Sequence, residues 1–243
     1  MTATISKRNF LKFAMGSGLA LGSWASAVAR VATDDMKWDK TPDVLVLGFG
    51  GACAAAAIEA KKKGADVLIL EKMPQPGGNT AVSAGGFMCP DDEVKAYEYL
   101  KGTYTYSHAE MDEALLRTFC REVMDLKNFV TGLGENIKLF VYGYAGFKNL
   151  PGQEVIKRYR VRGQKGGPKK GAGDCLFDVL KGAVEKAGIE YMTETPVVEM
   201  IRKGDMVVGV VAKHKGRLRT FVAGEGIYLR SPHFPLRPVK LRA

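Results

Sequence analysis

The chain has 243 residues, a hydrophobic fraction of 46% and a formal net charge of +10; it can bury a sizeable core, which excludes a wholly disordered polypeptide. Its four cysteines, Cys53, Cys89, Cys120 and Cys175, form no CxxC pair, so neither a zinc ribbon, an iron–sulfur cluster nor an attached c-type haem is indicated. Basic residues are scattered except across Lys148–Lys170, where Tyr159 is the one stacking aromatic; that stretch reads as a solvated, anion-attracting loop, and no nucleic-acid partner is expected.

Residues 1–30 read as an export signal. Lys7-Arg8 precede an apolar run, Phe10–Leu21, and small residues at Ala25-Ser26-Ala27 offer a cleavage site. The run is too short for a stable membrane span. Ser6–Lys12 resembles the twin-arginine export motif with Lys7 in place of the first arginine, which implies an exported, periplasmic protein.

Asp43–Leu47 is branched and apolar without polar alternation, which predicts a parallel strand buried on both faces. It runs into Gly48-Phe49-Gly50-Gly51 and then the alanine-rich Ala54–Ala60, a predicted helix that Gly64 ends. Free amides and the helix dipole at such a turn attract a diphosphate. A second strand, Asp66–Leu70, stops on Glu71, where a carboxylate can accept hydrogen bonds from ribose hydroxyls. The order within about 30 residues is that of an adenine-dinucleotide site. Cys53 stands where a third glycine belongs, a position of close helix–strand packing that a small thiol can fill.

Met73–Phe87 follows, a proline- and glycine-rich loop whose paired glycines let backbone amides approach a flat or anionic ligand. Taken together, GFGGA (Gly48–Ala52), LEK (Leu70–Lys72) and GGNTAVSAGGF (Gly77–Phe87) resemble the flavoprotein subunit family of fumarate reductases, which also takes in flavocytochrome and urocanate-type reductases and ketosteroid dehydrogenases. The resemblance implies FAD as cofactor, with Gly48, Gly50, Gly51, Ala52, Glu71, Lys72, Gly78, Asn79, Thr80, Ala84 and Gly85 as contacts. The fold implied is α/β, a Rossmann-like FAD-binding domain with a parallel sheet and a β-meander, spanning residues 40–229.

Beyond the loop, Glu93–Lys101 and Glu110–Gly132 read as helices, the second burying Met111, Leu115, Leu116, Phe119, Val123, Leu126, Phe129 and Val130 on one face. His108 reads as a surface residue. Ile137–Ala145 has strand character, with Tyr142 and Tyr144 placed to border a pocket. Asp174–Ala187 is a helix with Asp174 as its expected N-cap. Ile189–Met192 and Pro196–Ile201 are strands, and Val197 resembles the family position whose backbone touches the FAD adenine. Met206–His214 and Arg217–Ala223 form a hairpin around Lys215-Gly216.

The resemblance fades at Leu229; Arg230–Ala243, rich in proline and basic residues, reads as an unrelated tail, so the domain is expected to be incomplete at its C-terminus. By resemblance, the activity is hydride transfer between flavin and an activated C=C bond of a small unsaturated acid, with a separate cytochrome or quinol-linked electron donor. The capping domain that would supply the proton donor and carboxylate clamps is expected to be missing, and no catalytic residue or metal ligand is assigned. A ketosteroid-type flavin dehydrogenase and a catalytically dead FAD-binding remnant are the alternatives.

Overall fold

A computed structural model of the chain describes residues 28–31, 35–107, 110–162 and 172–229. In order the elements are β1 (Val28–Val31), β2 (Val44–Leu47), α1 (Gly51–Lys62), β3 (Val67–Leu70), α2 (Gly78–Val82), β4 (Phe87–Met88), α3 (Glu93–Ser107), α4 (Glu113–Val123), α5 (Leu126–Thr131), β5 (Leu139–Tyr144), a 3₁₀ turn (Gln153–Val155), β6 (Lys157–Val161), α6 (Ala172–Lys186), β7 (Glu190–Met192), β8 (Val197–Lys203), β9 (Met206–His214), β10 (Arg217–Val222) and β11 (Gly226–Leu229).

Three layers follow from the apolar runs of β2 and β3. The two strands pair in parallel inside the sheet β11-β2-β3-β7. Alternate side chains must point to opposite faces of a strand. Val46, Val67 and Ile69 meet Ala54, Ala57 and Ile58 of α1 and Phe177, Leu180 and Val184 of α6. Leu45, Leu47, Leu68 and Leu70 meet Val210, Ala212, Phe221 and Ile227 on the other face. A strand covered on both sides has no position for a polar residue, which is why these read as continuous apolar runs. Truncating Ile69, fully buried, to alanine would cost about 2–5 kcal/mol.

The second layer is the β-meander β1-β8-β9-β10. Its β9–β10 hairpin turns on Lys215 and Gly216, both with positive φ (48° and 78°), which matches the twist of the flanking strands. The strand β1 pairs in parallel with β8 from Val28 to Val31, so the last residues of the segment read as an export signal belong to this sheet. The rest of that segment, His108, and the tail from Arg230 lie outside the described residues.

The third unit is a small antiparallel sheet, β4-β6-β5, whose core joins Ala96 and Tyr99 of α3 to Ala145, Val155 and Ile156. Here the structure departs from expectation. The strand β6 occupies part of the stretch read as a loop. The helix expected from Glu110 to Gly132 is broken at Met124-Asp125 into α4 and α5, and the Met124 carbonyl accepts the Cys89 thiol at 3.2 Å. Asp112 caps α4 by accepting the Leu115 amide at 2.9 Å. Leu116, Cys120, Val123 and Val130 are buried, but Leu115 and Phe119 are 65% and 46% exposed and line a hollow between α3 and α4 with Leu100, Tyr104, Tyr106 and Phe147. A helix forms over Gly78–Val82 after Pro74 and Pro76. The helix α6 starts at Ala172, which puts Asp174 inside its first turn and not at its N-cap.

Candidate functional site

The two glycine motifs meet. The Gly77 amide donates to the Phe49 carbonyl at 2.8 Å, Gly50 and Gly77 form a parallel bridge, and the Gly51 amide donates to Thr80 Oγ1 at 2.9 Å. A Cβ on Gly51 would lie 2.7 Å from Thr80 Oγ1, and one on Gly77 2.6 Å from the Ala81 Cβ; Gly77 also holds φ at +132°, a backbone conformation that side chains resist. The result is a cradle of bare backbone at the N-terminus of α1. The first turn of α1 carries no acidic residue, and Lys61 and Lys62 sit in its last turn, so the helix dipole at the cradle is left unopposed for an anion.

Phe49, between these glycines, turns inward. It is fully buried and meets Phe177 and Tyr191 edge-on, with centroids 5.4 and 5.0 Å away. This anchor lets the flanking glycines face outward while the loop stays fixed. Cys53, 3% exposed, points its sulfur at the Leu47 carbonyl, 3.6 Å away, and so fills the close approach of helix to strand. All four cysteines are free thiols, and burial pushes that of Cys120 up.

Glu71 is 7% exposed and is held from two sides. Oε2 accepts the Phe49 amide at 2.7 Å and Oε1 the Met73 amide at 2.8 Å. Each oxygen keeps further acceptor capacity, so the carboxylate is locked in place beside the glycine turn. The Thr195 amide donates to the Glu71 carbonyl at 2.8 Å, and this brings the start of β8, with Val197, to the same strand end. Thr195 is itself buried; its hydroxyl donates to the Thr193 carbonyl at 2.7 Å and lies 2.8 Å from His214 Nδ1. Since the hydroxyl proton is already used, His214 donates through Nδ1. Neither Thr195 nor His214 could have been found from sequence, because the pair is made across the start of the meander.

Among the expected contacts, then, Gly48, Gly50, Gly51, Ala52, Glu71, Gly78 and Thr80 converge on one strand-end cradle. Asn79, Lys72 and Ala84 are exposed, and Gly85 is buried with its amide on Ser83 Oγ at 3.0 Å. The loop continues through Gly86 to the small sheet, where a Cβ on Gly86 would fall 2.0 Å from the Tyr142 hydroxyl. That contact brings Tyr142, and with it Arg160, whose guanidinium lies 3.9 Å over the Tyr142 ring, to the end of the loop. Sequence reasoning left Arg160 unassigned, inside a supposed loop. No cluster of metal-binding residues exists among the described residues, and no described helix is long and apolar enough to cross a membrane.

The glycine cradle suits an FAD pyrophosphate: it sets bare backbone at a helix N-terminus where side chains would collide, and it places an acceptor carboxylate one strand away for the ribose. A family profile described as an FAD binding domain matches residues 43–241. The acrylate reductase flavoprotein subunit of Shewanella woodyi is 34% identical over 167 residues, 65% of this chain and 32% of the relative. The 3-oxo-5-alpha-steroid 4-dehydrogenase of Comamonas testosteroni is 28% identical over 74% of this chain and 38% of its own length. In fold, the chain superposes on the 3-ketosteroid-delta4-(5alpha)-dehydrogenase of Rhodococcus jostii RHA1 with a TM-score of 0.70 at 24% identity, covering 82% of this chain and 47% of that one. On a flavocytochrome c3 fumarate reductase the TM-score is 0.64 at 22% identity, over 92% of this chain and 36% of that one. The chain thus spans about a third of the curated relatives' length. It belongs to the FAD binding domain family, it is similar to flavoproteins of the fumarate reductase and ketosteroid dehydrogenase type, and FAD is its cofactor.

Proposed function

We propose that this member of the FAD binding domain family takes part in hydride transfer between flavin and an activated C=C bond of a small unsaturated acid. The observation that carries the reading is the cradle itself, with Glu71 fixed by the Phe49 and Met73 amides at 2.7 and 2.8 Å. FAD, when bound, supplies the two-electron chemistry. The chain's residues bind and orient it: the Gly50–Ala52 turn and Thr80 take the pyrophosphate, Glu71 takes the ribose hydroxyls, Gly78 and Asn79 continue the loop, and the backbone at Val197 borders the adenine. A separate cytochrome or quinol-linked protein is the electron donor in this reading.

The test reconstitutes the chain with FAD and follows oxidation of a reduced viologen with acrylate, fumarate or urocanate. Acid-dependent turnover supports the reading. Turnover confined to 3-ketosteroids, with none for the acids, overturns it in favour of a steroid dehydrogenase, the reading that the fold likeness to the Rhodococcus jostii enzyme favours. Flavin binding without turnover on either class marks a binding domain that is inactive by itself. For localisation we propose export to the periplasm, on the strength of Lys7-Arg8, Phe10–Leu21 and Ala25-Ser26-Ala27. Replacing Lys7 and Arg8 together by glutamine should leave the precursor in the cytoplasm; undiminished export of that double variant contradicts the assignment.

A further inference from the structure

The register of the small sheet builds an arrangement around Arg160 that the cradle does not use. Phe87 pairs with Tyr159 and Met88 with Arg158, so Gly86 falls opposite Arg160 by continuation; Phe140 is the partner of Arg160 on the other side. Period two places Arg158, Arg160 and Arg162 on one face of β6, while Lys157 and Tyr159 take the other. On that other face Tyr159 stacks on Phe87 with centroids 6.1 Å apart, and Lys157 pairs with Asp91. On the arginine face no carboxylate pairs with Arg158, Arg160 or Arg162 among the described residues. A register shift between Val141 and Gly143 frees Tyr142 to cross under Arg160 until its hydroxyl occupies the space that a side chain at Gly86 would need.

Arg160 stacks on the Tyr142 ring at 3.9 Å. Stacking engages only the face of a guanidinium; its N–H donors lie in the plane. The Nε of Arg160 is buried, and among the described residues it has no hydrogen-bond partner. Burying a donor unpaired in this way is destabilising, so the arrangement calls for an acceptor. Two carboxylates of the segments that flank the sheet are paired with lysines, Asp91 with Lys157 and Glu154 with Lys95. The flanking segment 163–171 contains no acidic residue at all.

We propose that Arg160, clamped flat by Tyr142 at the end of the Gly85-Gly86 loop, is a binding site for a planar carboxylate, and that this carboxylate belongs to the substrate. The anion site follows from the sheet geometry alone; its assignment to substrate rests on the flavin-reductase reading above. A guanidinium fork matches two carboxylate oxygens in one plane, and Arg162, 5.4 Å from the Phe140 ring on the same face, adds field without competing for the in-plane position. A ketosteroid offers this group single neutral carbonyl oxygens and not the charged, coplanar pair that a guanidinium fork matches, so Arg160 also argues for acids over ketosteroids as the substrate class.

The experiment uses the whole 243-residue chain, first without FAD and then loaded, and measures the thermal transition against acrylate, fumarate and, as a neutral isostere of acrylate, acrylamide. The expected result is a saturable rise with the acids and none with acrylamide. Arg160→Gln should weaken the acids at least about tenfold, Arg160→Lys should recover part of the affinity, and both should bind FAD as the unchanged chain does. Tyr142→Leu leaves the charge but removes the clamp, so it should weaken acids while retaining the fold by circular dichroism. Equal acid affinity in Arg160→Gln overturns the site, as does equal stabilisation by acrylamide. A loss of FAD affinity in Arg160→Gln with acid binding intact would assign the acceptor to the cofactor instead. Acid binding that is intact in the FAD-loaded chain while none of the acids reoxidises the reduced flavin would leave the anion site standing and overturn only its link to the flavin reaction.

Discussion

The glycine cradle and the small β4-β6-β5 sheet solve the same problem, holding a negatively charged ligand, by opposite means. The cradle works by removal: side chains are absent at Gly50, Gly51 and Gly77, so that bare backbone and a helix N-terminus lie open to the ligand. Its two glycine motifs are tied backbone to backbone, Gly77 to Phe49 at 2.8 Å. The small sheet works by addition, with long arginine stems laid across aromatic rings and a single glycine, Gly86, cleared to make room for Tyr142. Backbone cradles are rigid and blind to the ligand's detail, which suits a pyrophosphate that many proteins share. A side-chain fork is specific and can be changed by one substitution, which suits a substrate.

The comparison breaks most sharply at Gly77. Its φ of +132° and the 2.6 Å separation that a Cβ would make with Ala81 predict that Gly77→Ala destabilises by about 3 kcal/mol from strain and overpacking together. FAD uptake should be lost in the same variant while the acid-dependent thermal shift at Arg160 persists. Chemical denaturation and flavin titration, run side by side, check both; a variant with unchanged midpoint and full flavin content would show that the loop is looser than drawn. The next largest effect is at Glu71. Removing the carboxylate strands two amides, those of Phe49 and Met73, and takes an acceptor from the ribose. Glu71→Ala should weaken FAD by about 1–3 kcal/mol, and Glu71→Gln, which keeps one acceptor oxygen, by less. Flavin affinity that is equal in both variants and the parent would remove Glu71 from the site.

The two regions also differed in how far they could be read from residues. The cradle was legible because its signal is local: strand, glycines, helix, strand and acid follow one another, and each type has one physical reason to be there. The meander was legible too, from alternation and the Lys215-Gly216 turn. The strand β6 was not. Its residues, Lys157 to Val161, look like a charged loop until Arg160 is seen lying on Tyr142 and Tyr159 on Phe87, contacts that join distant segments. Arginine stems behave there as apolar surface, and hydropathy cannot register that. The break at Met124 was hidden for a related reason, since the carbonyl it releases is taken up by the Cys89 thiol, far away in the chain. The exposed Leu115 and Phe119 follow from a helix pattern that continues past the surface its face can cover.

The smallest expected effect lies on the outer side of the small sheet, where charge is held by exposed pairs. Lys95 donates to Glu154 at 2.8 Å, tying α3 to the 3₁₀ turn, and this hydrogen bond holds the Glu154 carboxyl below its ordinary value of 4.5. A hydrogen bond from the Tyr97 hydroxyl, then one from Arg117, does the same for Glu113 at the start of α4. A carboxylate whose folded value is depressed binds its proton less readily folded than unfolded. Its contribution is therefore complete above the unfolded carboxylate range and disappears as pH falls through the depressed folded value. Both pairs are open to solvent and screened, so near neutrality Glu154→Gln should change the denaturation midpoint by less than either cradle variant does. Between about pH 5 and pH 3 the parent should lose stability faster than Glu154→Gln, and added salt should narrow the gap. Parallel acid limbs for the two proteins would mean that Lys95 and Glu154 do not pair in solution, and that the small sheet leans on α3 through the buried contacts of Ala96 and Tyr99 alone.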